Sequence, residues 1–208
     1  MLKILGRNTS SNVQKVLWVC DELGLPFERE DYGLHFGGNK EPEYLAMNPN
    51  GLVPTIDDDG FVLWESNSIC RYLAAKHDRP GGAILPDSLQ DRASAERWMD
   101  WQLTTAQGNF GPLFMLLTRK PEAERTPEAI AELTGKAAAM LKIVDAQLGR
   151  TEYLACDRFT LGDVPLGIIA YRWFAFQGVQ RPDLPNLKRW YDALATRSAY
   201  KKQVMIGL

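Results

Sequence analysis

The apolar positions change period along the chain. Leu2 and Lys3–Leu5 predict a short strand, and Gly6–Asn12 is a turn-rich loop. Val13, Val16, Leu17, Cys20 and Leu23 then recur at helical spacing up to a terminating Gly24. Phe27–Tyr32 predicts a second strand after Pro26, followed by a polar loop over 33–42 and one helical turn over 43–47. Val53-Pro54-Thr55-Ile56 leads through Asp58-Asp59-Gly60 into Phe61–Trp64, a hairpin pattern. Ser66 is placed to cap a helix whose buried face carries Ile69, Cys70, Tyr72 and Leu73. A helix between the first two strands favours their parallel pairing.

Asp78–Asp87, rich in Pro and Gly, reads as a linker, and strand patterns stop there. Residues 88–118 predict a long helix, bent near Gly108-Asn109 or Gly111-Pro112. Pro127–Leu148 predicts a second helix, with Thr126 as cap and Pro127 at its first position. Two more are expected at 163–177 and 187–195. Thr160-Leu161-Gly162-Asp163 has capping-box spacing, in which Thr160 accepts from the Asp163 N–H and Asp163 reaches back to the Thr160 N–H. The domains read as 1–77 and 88–208, joined by 78–87.

Composition narrows the function classes. A net charge of −2 over 208 residues gives no basic field for nucleic acid or an anionic membrane. No apolar run is long enough to span a bilayer, and the first residues lack the apolar core of a signal peptide, so a cytoplasmic protein is expected. Cys20, Cys70 and Cys156 form no CxxC pair, and the two histidines have no ligand-like neighbours. No metal site is expected.

Three stretches carry candidate chemistry. The first is Asn48–Pro54. A proline at the mouth of a buried strand is either an ordinary trans proline or a cis one that turns the Val53 main chain outward to pair with an extended peptide. The second is Glu65-Ser66 at a helix start. It is either a plain cap or a site for the carboxylate and ammonium of an α-amino acid. The third is Thr9-Ser10-Ser11-Asn12. It either caps the first helix or donates to a bound thiolate, lowering the thiol pKa by roughly one to two units.

In this order, the stretches GRNTSSNVQKVLW, NPNGLVPTIDDDGFVLWESNSICRYL and FTLGDVPLGIIAYRW resemble the glutathione transferase superfamily along nearly the whole chain, most closely bacterial serine-type members near the theta and delta classes. The resemblance implies a thioredoxin-like α/β N-terminal domain followed by an all-α C-terminal bundle. It assigns the sulfur contact to Ser10, with Ser11 and Asn12 as alternates. Val53, presented by Pro54, would pair with the cysteinyl main chain of glutathione. Glu65 and Ser66 would hold the γ-glutamyl end, and Asn39 and Lys40 the glycyl carboxylate.

The family also implies a hydrophobic electrophile bound between the domains against the long helix, with Trp101, Thr105, Phe110, Phe114 and Trp173 as candidate walls. Glutathione is then a co-substrate, no further cofactor is expected, and the partner is a second copy of the chain. The expected function is conjugation in detoxification. Alternatives are a glutathione-dependent disulfide reductase or peroxidase using the same site, and a non-catalytic glutathione-binding or interaction module.

Overall fold

A computed structural model describes residues 1–208. It divides the chain into two units: residues 1–85 with 198–207, and residues 86–197 with Leu208.

In the first unit, β1 (Leu2–Leu5) leads through Gly6 into α1 (Ser11–Glu22), and Gly24 at positive φ ends that helix. β2 (Phe27–Glu30), α2 (Pro42–Met47), β3 (Thr55–Asp58), β4 (Phe61–Trp64) and α3 (Ser66–His77) follow. The sheet order is β2-β1-β3-β4. β1 and β2 are parallel, with Leu2 opposite Phe27. β3 runs antiparallel to both its neighbours, with Ile4 opposite Ile56 and Asp58 opposite Phe61. Asp59 and Gly60, at φ 52° and 93°, make the two-residue hairpin turn, because both positions need the left-handed region.

The sheet and its helices bury Ile4, Ile56, Ile69 and Leu73. Asp58 ties β3 to α3 by accepting from Tyr72 Oη at 2.7 Å and Lys76 Nζ at 2.5 Å, and these donors hold its carboxyl below the usual range. The Asp78 carboxylate accepts from the N–H groups of Ala83, Ile84 and Leu85, so much of the Pro/Gly-rich stretch is an ordered loop.

The last helix, α9 (Ser198–Gln203), belongs to this unit. The sequence pattern groups these residues with the helical domain, but their contacts lie elsewhere. Tyr200 packs on Trp18 with ring centroids 4.7 Å apart, and Gln203 Nε2 and Lys202 Nζ both donate to Asp21 on α1.

The second unit is helical throughout: α4 (Leu89–Trp101), α5 (Gln107–Thr118), α6 (Pro127–Leu148), α7 (Asp163–Ala175) and α8 (Pro185–Thr196). α6 has the bounds its pattern predicts, and Thr126 Oγ1 accepts from the Ala129 N–H. The expected bend in the long helix falls elsewhere. The irregularity is a π-helical segment at Gln102–Ala106, upstream of both glycines, and Pro112 lies inside α5. Asn109 Nδ2 donates to the Thr105 carbonyl and Thr104 Oγ1 to that of Asp100, so side chains supply bonds on either side of the widened turn.

The start of α7 also departs from the simple capping box. Asp163 Oδ2 does accept from the Thr160 N–H, at 2.8 Å. The Asp163 N–H, however, donates to the Thr160 carbonyl rather than its hydroxyl, and Thr160 Oγ1 donates to Asp163 Oδ2. Asp163 Oδ1 accepts further bonds from the Leu154 N–H at 3.0 Å and Trp190 Nε1 at 2.9 Å. Fully buried, Asp163 thus joins the loop before α7, α7 itself and α8. Pro165 follows in the first turn, where a missing N–H costs least.

Candidate active site

One cleft of the first unit gathers polar groups from three directions. Its walls are Asn12 from α1, Asn48, Asn50, Leu52, Val53 and Pro54 from the loop before β3, and Trp64, Glu65 and Ser66 at the β4–α3 junction. Larger grooves, of about 530 and 600 Å³, lie on the helical unit. The smaller cleft is the candidate site because a helix start, an open main-chain edge and an acidic side chain converge there.

A buried network sets the shape of the loop. Asn48 Nδ2 donates to the Leu52 carbonyl at 2.9 Å and to Thr55 Oγ1 at 3.0 Å. Its Oδ1 accepts from the Asn50 N–H. Tyr44 Oη donates to the same Leu52 carbonyl at 2.7 Å. These bonds pin the residue before Val53. The Val53-Pro54 peptide is cis, and the Val53 N–H and C=O pair with no group of the chain. Gly6 lies behind this edge. A Cβ there would meet Val13 Cγ2 at 2.5 Å and Val53 Cβ at 3.0 Å, so only glycine lets β1 and the loop approach this closely.

Glu65 is the residue before α3, at φ 72° and ψ 107°, a conformation side chains other than glycine's rarely adopt. It turns the chain sharply out of β4, leaving its own carboxylate exposed and Ser66 buried at the helix start. The first-turn N–H groups of α3 therefore open at the cleft, and with the helix dipole they favour an anion there.

The other expected site residues are placed as follows. Ser10 is the residue before α1 and is 8% exposed; its side chain makes no capping bond. Ser11 is the first residue of α1. Of the three sulfur candidates, only Asn12 stands among the cleft walls. Asn39 Nδ2 donates to the Gly51 carbonyl at 2.8 Å and Lys40 Nζ to that of Asn50 at 3.2 Å, so both brace the loop that carries Val53.

The expected pocket walls of the helical unit are placed as follows. Phe110 and Trp173, 4% and 1% exposed, are core side chains, with Phe110 stacked on Phe176 at 5.8 Å. Phe114 lies under the Arg172 guanidinium at 4.1 Å. Trp101 meets Trp98 edge-on in the groove between α4 and α6, and Thr105 is half-buried in the π segment.

The sequence singles out the stretch Asn48–Pro54 but assigns only its Val53 and Pro54 to the site; Asn48, Asn50, Leu52 and, beyond the stretch, Trp64 join them as cleft walls. The Asn-Pro-Asn-Gly stretch carried a signal for the first two, since such asparagines bond their own backbone two residues on. Trp64, 37% exposed at the end of β4, had no local signal.

Comparison with known proteins places the whole chain. Residues 9–76 match the glutathione S-transferase N-terminal domain and residues 109–198 its C-terminal domain. The chain is 41% identical over 208 residues to glutathione S-transferase GstB of Escherichia coli, covering 99% of each. It is 34% identical to glutathione S-transferase 3 of Zea mays, covering 98% of this chain and 93% of that one. A theta-class glutathione S-transferase from Xanthomonas axonopodis pv. citri, solved with glutathione bound, superposes with a TM-score of 0.92 at 44% identity, covering 100% of this chain and 98% of the other. The chain belongs to the glutathione S-transferase family.

Proposed function

We propose that this protein conjugates glutathione to hydrophobic electrophiles, binding the tripeptide in the Asn12–Val53–Glu65–Ser66 cleft. The observation that carries this reading is the unpaired Val53 main chain beside the α3 N-terminus. Such an edge takes an extended peptide by strand-like pairing, and the helix start takes its carboxylate. Glu65 is exposed beside it and pairs with the γ-glutamyl ammonium.

The thiol then lies toward the start of α1, where Ser10 donates its hydroxyl and the helix dipole adds to the preference for the anion. The thiolate sulfur forms a bond to an electrophilic carbon. In substitution, the leaving group departs with its bonding pair; in conjugate addition, the pair moves onto the acceptor and is protonated. Ser10 stays a hydrogen-bond donor throughout, since no histidine base lies within the cleft walls. The absence of cysteine from Gly6–Asn12 speaks against a protein–glutathione mixed disulfide.

The reading includes a homodimer working in detoxification in the cytoplasm, where glutathione is abundant and thiols stay reduced. No helix is long and apolar enough to cross a membrane. The test is an activity panel on purified protein. A chlorinated nitroaromatic is expected to be turned over faster than a small disulfide or hydroperoxide, by a species sedimenting at twice the 23.4 kDa chain mass. The reverse order of rates would favour the reductase or peroxidase.

A further inference from the structure

Behind the cleft, on the side of α1 that faces α3, lies a lysine that no part of the proposed mechanism uses. Lys15 is 1% exposed, within the α1 run Val13–Cys20 that is buried throughout. An alkyl side chain would fill this place without the cost of taking an ammonium out of water. Its Nζ donates to Ser66 Oγ at 3.4 Å. The charge also reaches the next turn of α3: burial pushes the Cys70 thiol up to about 12, and Lys15 is the largest influence opposing it.

The direction of the hydrogen bonds follows from donor inventory. An ammonium only donates, so Ser66 Oγ accepts from it and its own proton is turned elsewhere. That proton goes to Asn12 Oδ1, 3.3 Å away. With Oδ1 turned to Ser66, the Asn12 Nδ2 amide points away from it, and Asn12 is exposed in the cleft. The chain from Lys15 through Ser66 to Asn12 therefore ends in the Nδ2 donors, beside the first N–H groups of α3.

We propose that Lys15 is a positioning residue: through Ser66 it turns the Asn12 Nδ2 donors toward the α3 N-terminus, and these donors select a carboxylate over a carboxamide at the γ-glutamyl end of the bound tripeptide. This rests on glutathione occupying the cleft with that end at Ser66. A carboxylate accepts from every donor offered. A primary amide turns its own N–H groups toward at least one of them.

The experiment measures affinity and steady-state kinetics with glutathione and with an analogue whose γ-glutamyl α-carboxylate is a primary amide. The wild-type chain is expected to prefer glutathione, and Lys15→Met to raise Kd and KM for glutathione about tenfold. kcat should stay within about twofold and binding of the amide analogue should be unchanged, because only transition-state contacts alter kcat. Lys15→Arg should restore most of the preference. Equal losses for both ligands, or a fall in kcat at constant KM, would overturn the proposal, since a merely structural lysine does not distinguish them.

Ser66→Ala breaks the chain while keeping Lys15 and must also erode the preference, which keeps the idea testable should Lys15→Met fail to fold. A Ser66→Ala variant with the full preference would sink it. Wild-type protein that binds neither ligand would overturn the glutathione reading and this inference together. Wild-type protein that discriminates, with a Lys15→Met variant that discriminates equally, would overturn only the role of Lys15.

Discussion

Asp163→Ala is expected to cost about 3–5 kcal/mol of stability at neutral pH, with a fall in melting temperature of roughly 10 °C. The carboxylate accepts from the Leu154 and Thr160 N–H groups, Thr160 Oγ1 and Trp190 Nε1, all without access to water. Alanine leaves four buried donors unpaired, and each orphaned donor costs more than its bond contributed. Asp163→Asn should fall between, because its amide nitrogen must face one of the two donor pairs.

The pH dependence has a definite sign. Burial pushes the Asp163 carboxyl up to about 6, with the four donors opposing that shift. A folded-state pKa above the unfolded one means that the stabilisation from proton uptake is complete below the ordinary aspartate range. It is lost as pH rises through about 6. Thermal denaturation of wild type and variant between pH 4 and pH 7 should show the wild-type margin shrinking toward neutrality. A margin that grows with pH would contradict this.

The second large effect separates folding from binding at one residue. Glu65 sits at φ 72° and ψ 107°, where a Cβ is strained by about 1 kcal/mol or more. Glu65→Gly should relieve that strain and exceed Glu65→Ala in stability by about 1 kcal/mol. Both variants should lose the carboxylate partner of the γ-glutamyl ammonium, raising KM for glutathione about tenfold or more. Calorimetric melting with steady-state kinetics on the pair reads both quantities. A glycine variant less stable than the alanine one would remove the strain argument, and an unchanged KM would remove Glu65 from the site.

Much of this site was legible because its signals are local. The Asp58-Asp59-Gly60 turn requires positive φ at two positions, and Thr126-Pro127 announces a helix start, so both elements appear where the pattern puts them. Val53, Glu65 and Ser66 were visible as a proline at a strand mouth and a helix start after a strand. Lys15 was not, since a lysine beside Gln14 on an amphipathic helix reads as a solvent face. The packing of α3 against α1, with Ser66 meeting Lys15 Nζ, is not encoded in local periodicity. α9 was hidden for a similar reason: Tyr200 and Gln203 find Trp18 and Asp21 some 180 residues away, and no local periodicity encodes such partners. The π segment at 102–106 lay outside the reach of Gly and Pro punctuation. Aromatic spacing on α5 and α7 likewise did not show how deeply Phe110 and Trp173 are buried.

The most direct measurement is the ultraviolet absorbance of the glutathione thiolate, titrated against pH in the presence of saturating protein. If the sulfur rests as an anion at the start of α1, bound glutathione ionises roughly one to two pH units below the free tripeptide. Ser10→Ala should return much of that shift while glutathione still binds. A bound thiol that titrates like the free one in the wild-type protein would contradict the account at its centre.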